Sequence, residues 1–122
     1  MIYEIPIDPV PKPRMVASDR YKKRPIVEKY WAFKKWFLLL CNRRGLTDLP
    51  ASIGITFIMA MPESWSEKKK KNYYGSPHQQ RPDLDNLVKA VKDCLCKDDS
   101  HIWRYTYMEK KWGREGKIII EF

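Results

Sequence analysis

The apolar residues of this chain switch repeatedly between a period of two and the helical period, and that switching constrains the fold more than any other feature. Ile53, Ile55, Phe57, Met59 and Met61 alternate with Ser52, Gly54, Thr56 and Ala60, the pattern of a half-buried strand that Pro62 closes. Residues 2 to 7 alternate more loosely, with Tyr3, Ile5 and Ile7 on one side, and run into Pro9, Pro11 and Pro13, which cannot donate to a sheet ladder. A basic loop follows. Residues 24 to 44 read as a helix: Pro25 suits its first turn, Gly45 suits its end, and Ile26, Tyr30, Phe33, Phe37, Leu40 and Cys41 form a stripe that Val27, Trp31 and Leu38 widen. Helical spacing explains these aromatics as core rather than as a base-stacking surface. A second helix is expected from about Asp85 to Cys96, with Leu84, Leu87, Val88, Val91 and Leu95 facing the sheet. Residues 102 to 108 and 117 to 122 read as strands, and the Gly113-Arg114-Glu115-Gly116 turn between them predicts that they pair as a hairpin. The expected fold is therefore α+β, a small mixed sheet with two helices packed on it, in one domain over residues 1–122.

Composition narrows the class. A 122-residue chain at 43% hydrophobic content can bury roughly two thirds of its unfolded surface in one core. Its formal net charge of +9, from 24 Lys+Arg against 15 Asp+Glu, calls for a polyanionic partner, and nucleic acid fits better than a membrane. The longest strictly apolar stretch, residues 36 to 41, is far short of a span, and Met1-Ile2-Tyr3-Glu4 lacks a signal pattern, so a cytoplasmic chain is expected. Cys41, Cys94 and Cys96 are odd in number and lack zinc spacing, which argues against a disulfide framework and a structural zinc.

The chemistry concentrates in Arg81-Pro82-Asp83-Leu84-Asp85-Asn86-Leu87-Val88-Lys89. Two aspartates one residue apart in an extended segment point to the same side, so Asp83 and Asp85 can converge on one small, hard cation. Asp85 and Lys89 are four apart and project together from the second helix, either as a plain helix ion pair or with the amine beside whatever the carboxylate holds. An acidic point in a basic chain suggests a metal-dependent nuclease. Upstream, residues 63 to 78 form a long polar connection without apolar period, expected to be a mobile basic loop. There Lys68, Lys69, Lys70 and Lys71 beside Trp65, Tyr73 and Tyr74 suit phosphate contact with aromatic stacking. His78, next to Pro77 in this polar stretch, reads as exposed and stays off the catalytic set.

These residues resemble the RusA family of Holliday junction resolvases, small homodimeric endonucleases often encoded by phages and prophages. The likeness rests on the run from Arg81 to Lys89, on Asp93-Cys94-Leu95 in the helix, and on Asp98-Asp99-Ser100-His101-Ile102 after it. Pro62-Glu63-Ser64-Trp65-Ser66-Glu67-Lys68-Lys69-Lys70 approximates a family loop, and Pro11-Lys12-Pro13-Arg14 is similar to its N-terminal basic loop. The resemblance implies that Asp83, Asp85 and Asp99 bind Mg2+, with Mn2+ able to replace it and Asp98 the alternative third ligand. It further implies that Lys89 is the catalytic lysine and that Lys12, Arg14, Arg81 and the lysine run contact DNA. One departure stands out: only Cys96-Lys97 separates Leu95 from Asp98, where the family usually has a longer, glycine-containing connection.

The implied function is paired symmetric nicking of four-way junction DNA by a homodimer, in recombination and repair, with no organic cofactor and no membrane partner. A less selective branched or flap DNA nickase would use the same carboxylates. A noncatalytic junction-binding protein would follow if the shortened connection had spoiled the site.

Overall fold

A computed structural model describes residues 1–14, 16 and 24–122. Most of the basic loop expected after Pro13 lies outside the described residues. The elements run β1 (Ile2–Ile5), α1 (Pro25–Arg43), β2 (Ser52–Ala60), α2 (Glu67–Tyr73), α3 (Leu84–Leu95), β3 (Arg104–Gly113) and β4 (Lys117–Glu121). The strands form one mixed sheet in the order β1-β4-β2-β3, with β2 parallel to β3 and the other pairs antiparallel. The α+β class is as expected. Among the described residues no helix is long and apolar enough to cross a membrane.

The ends of α1 follow from its sequence. Pro25 opens the helix, where its missing N–H is not needed. At the far end Gly45 adopts φ 76°, Leu46 N donates to Cys41 O at 2.9 Å and Gly45 N to Asn42 O at 3.1 Å. This is a Schellman closure, which needs a residue without Cβ strain at the left-handed position. The buried stripe is narrower than expected. Val27, Tyr30, Phe33, Phe37 and Cys41 face the core, whereas Ile26, Trp31 and Leu38 are 50%, 54% and 40% exposed. A helix lying on one sheet and one neighbouring helix hides only a stripe of about 100° or somewhat more, and those three fall outside it.

The core joins this stripe to Leu87, Val88, Ala90, Val91 and Leu95 of α3 and to Ile5, Ile53, Ile55, Phe57, Ile118 and Ile120 of the sheet. β2 is covered on both faces. Gly54 and Thr56, which alternation would leave outside, are buried: a Cβ on Gly54 would lie 2.4 Å from the Tyr107 ring, and Thr56 Oγ1 donates to Glu109 Oε1 at 3.0 Å.

Two expectations are overturned. The last two strands do not pair, because β2 lies between them, with Ala60 opposite Gly113 and Ile58 opposite Lys117. As the most apolar strand, β2 takes ladder partners on both edges, and residues 114–116 need only cross two strand spacings, about 10 Å. Residues 63–78 are not a structureless loop either, so the helices number three among the described residues. Ser66 Oγ caps α2 by accepting from Lys69 N at 3.2 Å, and the helix is docked by Trp65, whose ring centroid lies 4.9 Å from that of Trp112 and 5.2 Å from that of Tyr73. Glu67 adds an ion pair to Arg114 at 3.1 Å. A capping serine and one aromatic anchor hold this helix without an apolar period, which is why periodicity overlooked it.

Candidate active site

The acidic run stands where α3 begins. Asp83 occupies the N-cap position in extended conformation, yet its side chain makes no capping hydrogen bond. Its carboxylate is left exposed at the positive end of the helix instead of closing it. Asp85 follows in the first turn, 3.7 Å from Lys89 Nζ, with both side chains more than half exposed. The helix starts at Leu84, so the two aspartates do not share an extended segment as expected; they share a helix start.

Two open cavities, about 570 and 550 Å3, flank this turn and are lined by Lys12, Arg14, Arg81, Asp83, Asn86 and Lys89 among others. The N-terminal loop forms one wall because Lys12 N donates to Asn86 O at 3.0 Å and Lys12 Nζ lies 2.6 Å from Asp93 Oδ2. Asp93 also accepts from Tyr30 Oη at 2.8 Å. Burial alone would raise the Asp93 pKa, but the bonds from Lys12 and Tyr30 together hold it below the usual carboxylate range. Lys12 is thus engaged with the protein itself, while Arg14 and Arg81 are exposed beside Asp83.

Asp99 lies elsewhere. It sits past the other end of α3, its carboxylate 3.0 Å from Lys92 Nζ, and the helix rises about 15 Å between Asp85 and Leu95. The structure places Asp85 beside Lys89, with Asp83 at the N-cap two residues before Asp85, and does not gather Asp99 with them as one ligand group among the described residues. Asp98 is a turn former: Ser100 N donates to its Oδ1 at 2.9 Å, and that bond holds its pKa low.

The family model for endodeoxyribonuclease RusA matches residues 6–122. This chain belongs to the RusA endodeoxyribonuclease family. It is also 32% identical over 110 residues to the uncharacterized protein YqaN of Bacillus subtilis (strain 168), covering 78% of this chain and 76% of that protein.

The acidic turn of this RusA-family chain is suited to a hard divalent cation. Exposed carboxylate oxygens, with one side chain released from its capping bond, are the donors magnesium takes while keeping several waters. A second ligand group, Asp48, Cys96 and His101, brings its ligand atoms within 4.8 Å of one another, but it does not fit such an ion. His101 Nε2 lies 2.7 Å from Leu49 O and Nδ1 3.1 Å from Asp98 O. Both ring nitrogens are engaged with backbone carbonyls, the Leu49 carbonyl foremost in raising the pKa, and a thiol and an imidazole are not the hard oxygen donors such an ion takes.

Two residues near the turn escape sequence reasoning. His78 is 6% exposed rather than on the surface, packed on Trp112 with ring centroids 4.3 Å apart. Its Nδ1 is buried without a hydrogen-bond partner among the described residues. Lys110 of β3 donates from Nζ to Gln80 O and, at 2.5 Å, to Pro82 O. Burial pushes its pKa down, and Asp83 draws it part of the way back. Nothing in the sequence distinguishes Lys110 from Lys111 beside it.

The RusA-family basic surface continues on α2. Lys68, Lys69 and Lys71 are exposed and Lys70 is half-buried, and Lys69 Nζ lies 4.2 Å from the Trp65 ring centroid, a cation–π contact that ties it to the fold. Trp65 is occupied by packing, so the exposed aromatics of this segment are Tyr73 and Tyr74, at 43% and 64%.

Proposed function

We propose that this protein is a Mg2+-dependent, structure-selective endonuclease that resolves four-way junction DNA by paired symmetric nicks, acting in the cytoplasm as a homodimer in recombination and repair. Mn2+ is expected to substitute for Mg2+. The observation that carries this reading is the start of α3, where an exposed Asp83 at the N-cap lines one cavity with Arg14 and Arg81, and Asp85 in the first turn lies 3.7 Å from Lys89 Nζ.

Asp83 and Asp85 would hold the ion, with Asp99 as the third ligand implied by the family resemblance. When bound, the ion supplies Lewis acidity to the scissile phosphate and lowers the pKa of a coordinated water. Lys89 offsets negative charge developing on the phosphoryl oxygens. Arg14, Arg81 and the lysines of α2 bind backbone phosphates, which gives salt-sensitive affinity governed by DNA shape rather than base sequence. A two-fold pair of chains sets two such sites on opposite strands of a junction.

The test is cleavage of an end-labelled synthetic four-way junction, with and without Mg2+, beside linear duplex and flap DNA, mapping product ends on every strand. Symmetric nicks that require metal and spare linear duplex are expected. Equal cutting of flaps would make it a general branched-DNA nickase, and tight binding without nicks in any metal would make it a junction binder.

A further inference from the structure

The segment that delivers Asp83 to α3 is held along the outer edge of β3. Gly75 N donates to Trp112 O and Trp112 N to Ser76 O, both at 2.9 Å, and His78 N donates to Lys110 O at 3.0 Å. Beyond His78 this backbone ladder stops, and the chain must still bend through Gln80, Arg81 and Pro82 to reach the helix. There the Lys110 side chain takes over. Its ammonium lies inside the bend and donates to the carbonyls of Gln80 and Pro82, on either side of Arg81. One residue therefore fixes the segment twice, by its own carbonyl at His78 and by its ammonium two and four residues later.

We propose that Lys110 is a positioning residue for the nuclease site, chelating the Gln80–Pro82 bend from β3 so that the Asp83 carboxylate is presented at the start of α3 in register with Asp85. This inference rests on the nuclease reading above. Lys110 does not touch the substrate phosphate: an ammonium with three protons that spends two on backbone carbonyls is a clamp, and Lys89 remains the exposed amine.

The experiment compares wild type, Lys110→Met, which keeps the apolar stem without donors, and Lys110→Arg, which keeps two or more donors. Junction binding is measured without metal, and kcat and KM are measured across a Mg2+ titration. Because ångström-scale misplacement of a catalytic group can cost about 100-fold, Lys110→Met is expected to lose about that factor in kcat and to need more Mg2+ for half-maximal rate. Metal-free junction affinity should stay within about threefold, and Lys110→Arg should recover most of kcat. Unchanged kcat and Mg2+ requirement in Lys110→Met overturns the proposal, as does lost DNA affinity with kcat retained, which would make Lys110 a phosphate contact. If Lys110→Met fails to fold, wild-type protein labelled with 15N at lysine Nζ carries the test. An exchange-protected Lys110 ammonium signal that shifts on Mg2+ addition supports the clamp, and a signal lost to water exchange, or one indifferent to Mg2+, overturns it. A wild-type chain that cuts no junction in any metal defeats the nuclease reading itself, a result distinct from wild type and Lys110→Met cutting equally.

Discussion

Lys12 Nζ and Asp93 Oδ2 lie 2.6 Å apart, joining the proline-rich N-terminal loop to the last turn of α3. The same carboxylate oxygen accepts from the hydroxyl of Tyr30, a residue only 1% exposed. Removing it leaves a buried hydroxyl unpaired and takes away one of the loop's ties to α3, the Lys12 N bond to Asn86 O remaining. Asp93→Ala should therefore lower stability by about 1–3 kcal/mol, the cost of an unsatisfied buried polar group. In urea unfolding, Tyr30→Phe combined with Asp93→Ala should cost at least about 0.5 kcal/mol less than the sum of the single changes. Simple additivity would mean the hydrogen bond is not formed in solution.

The lysines of α2 should separate by their partners. Lys68 and Lys71 are exposed, while Lys69 stands over Trp65. Replacing Lys68 or Lys71 by Gln should reduce the slope of log affinity against log salt for junction binding by up to about 0.9 each, one phosphate contact apiece. Lys69→Gln should change the slope less and lower Tm more. Equal slopes for all three variants would show that the Trp65 contact gives way to phosphate when DNA binds.

What the sequence makes legible here is what periodicity and spacing encode. The Pro25 start and Gly45 end of α1, the apolar face of α3 and the strand at β2 rest on local patterns, and the structure has them, though the α1 stripe is narrower than its apolar residues suggest and β2 is buried on both faces. Strand partnership does not. Arg114 to Gly116 look like a hairpin turn, but whether β4 pairs with β3 or with β2 depends on which strand is most apolar across the whole sheet. Helix α2 rests on Ser66 and on a distant Trp112, so no window of its own sequence announces it. At the site, the Asp85–Lys89 pair rests on a spacing of four along one helix, and the structure has it at 3.7 Å. Lys110 and Asp93 contribute through long-range bonds to Gln80, Pro82 and Lys12, and long-range bonds leave no trace in spacing.

His78 should give the fold a measurable acid sensitivity. Burial, and secondarily the charge of Lys110, lowers its pKa, and Trp112 covers its ring. Between that lowered value and about 6.5, the ordinary histidine value, the unfolded chain binds a proton that the folded chain refuses. Stability from this group is thus full above about pH 6.5 and falls as pH is lowered through the window. His101, whose pKa is raised, acts in the opposite sense, losing its contribution as pH rises. Urea midpoints at about pH 7.5 and 5.5 should show a smaller acid loss in His78→Phe than in wild type. The same loss in both proteins would mean that His78 is not held neutral by the fold.

The position of Asp99 makes the sharpest demand on the proposed nuclease. It lies past the C-terminal end of α3, paired with Lys92 at 3.0 Å, while Asp85 stands in the first turn of that helix, and Asp83, Asp85 and Asp99 do not meet as one ligand group among the described residues. If all three aspartates serve one site, Asp99 must come from the second chain of the two-fold pair. Asp85→Asn and Asp99→Asn should each abolish cutting while metal-free junction binding stays the same or tightens, since each removes negative charge near phosphate. Asp98→Asn should retain cutting, because an amide oxygen can still accept from Ser100 N. Equal mixing of Asp85→Asn and Asp99→Asn chains should then restore nicking to about a quarter of the wild-type rate, since half the pairs are mixed and each mixed pair holds one of its two sites intact. With all ligands from a single chain, the mixture would stay inactive, because every site would contain one altered aspartate. Wild-type cutting by Asp99→Asn alone would remove Asp99 from the site and leave Asp83 and Asp85 to hold the ion with water.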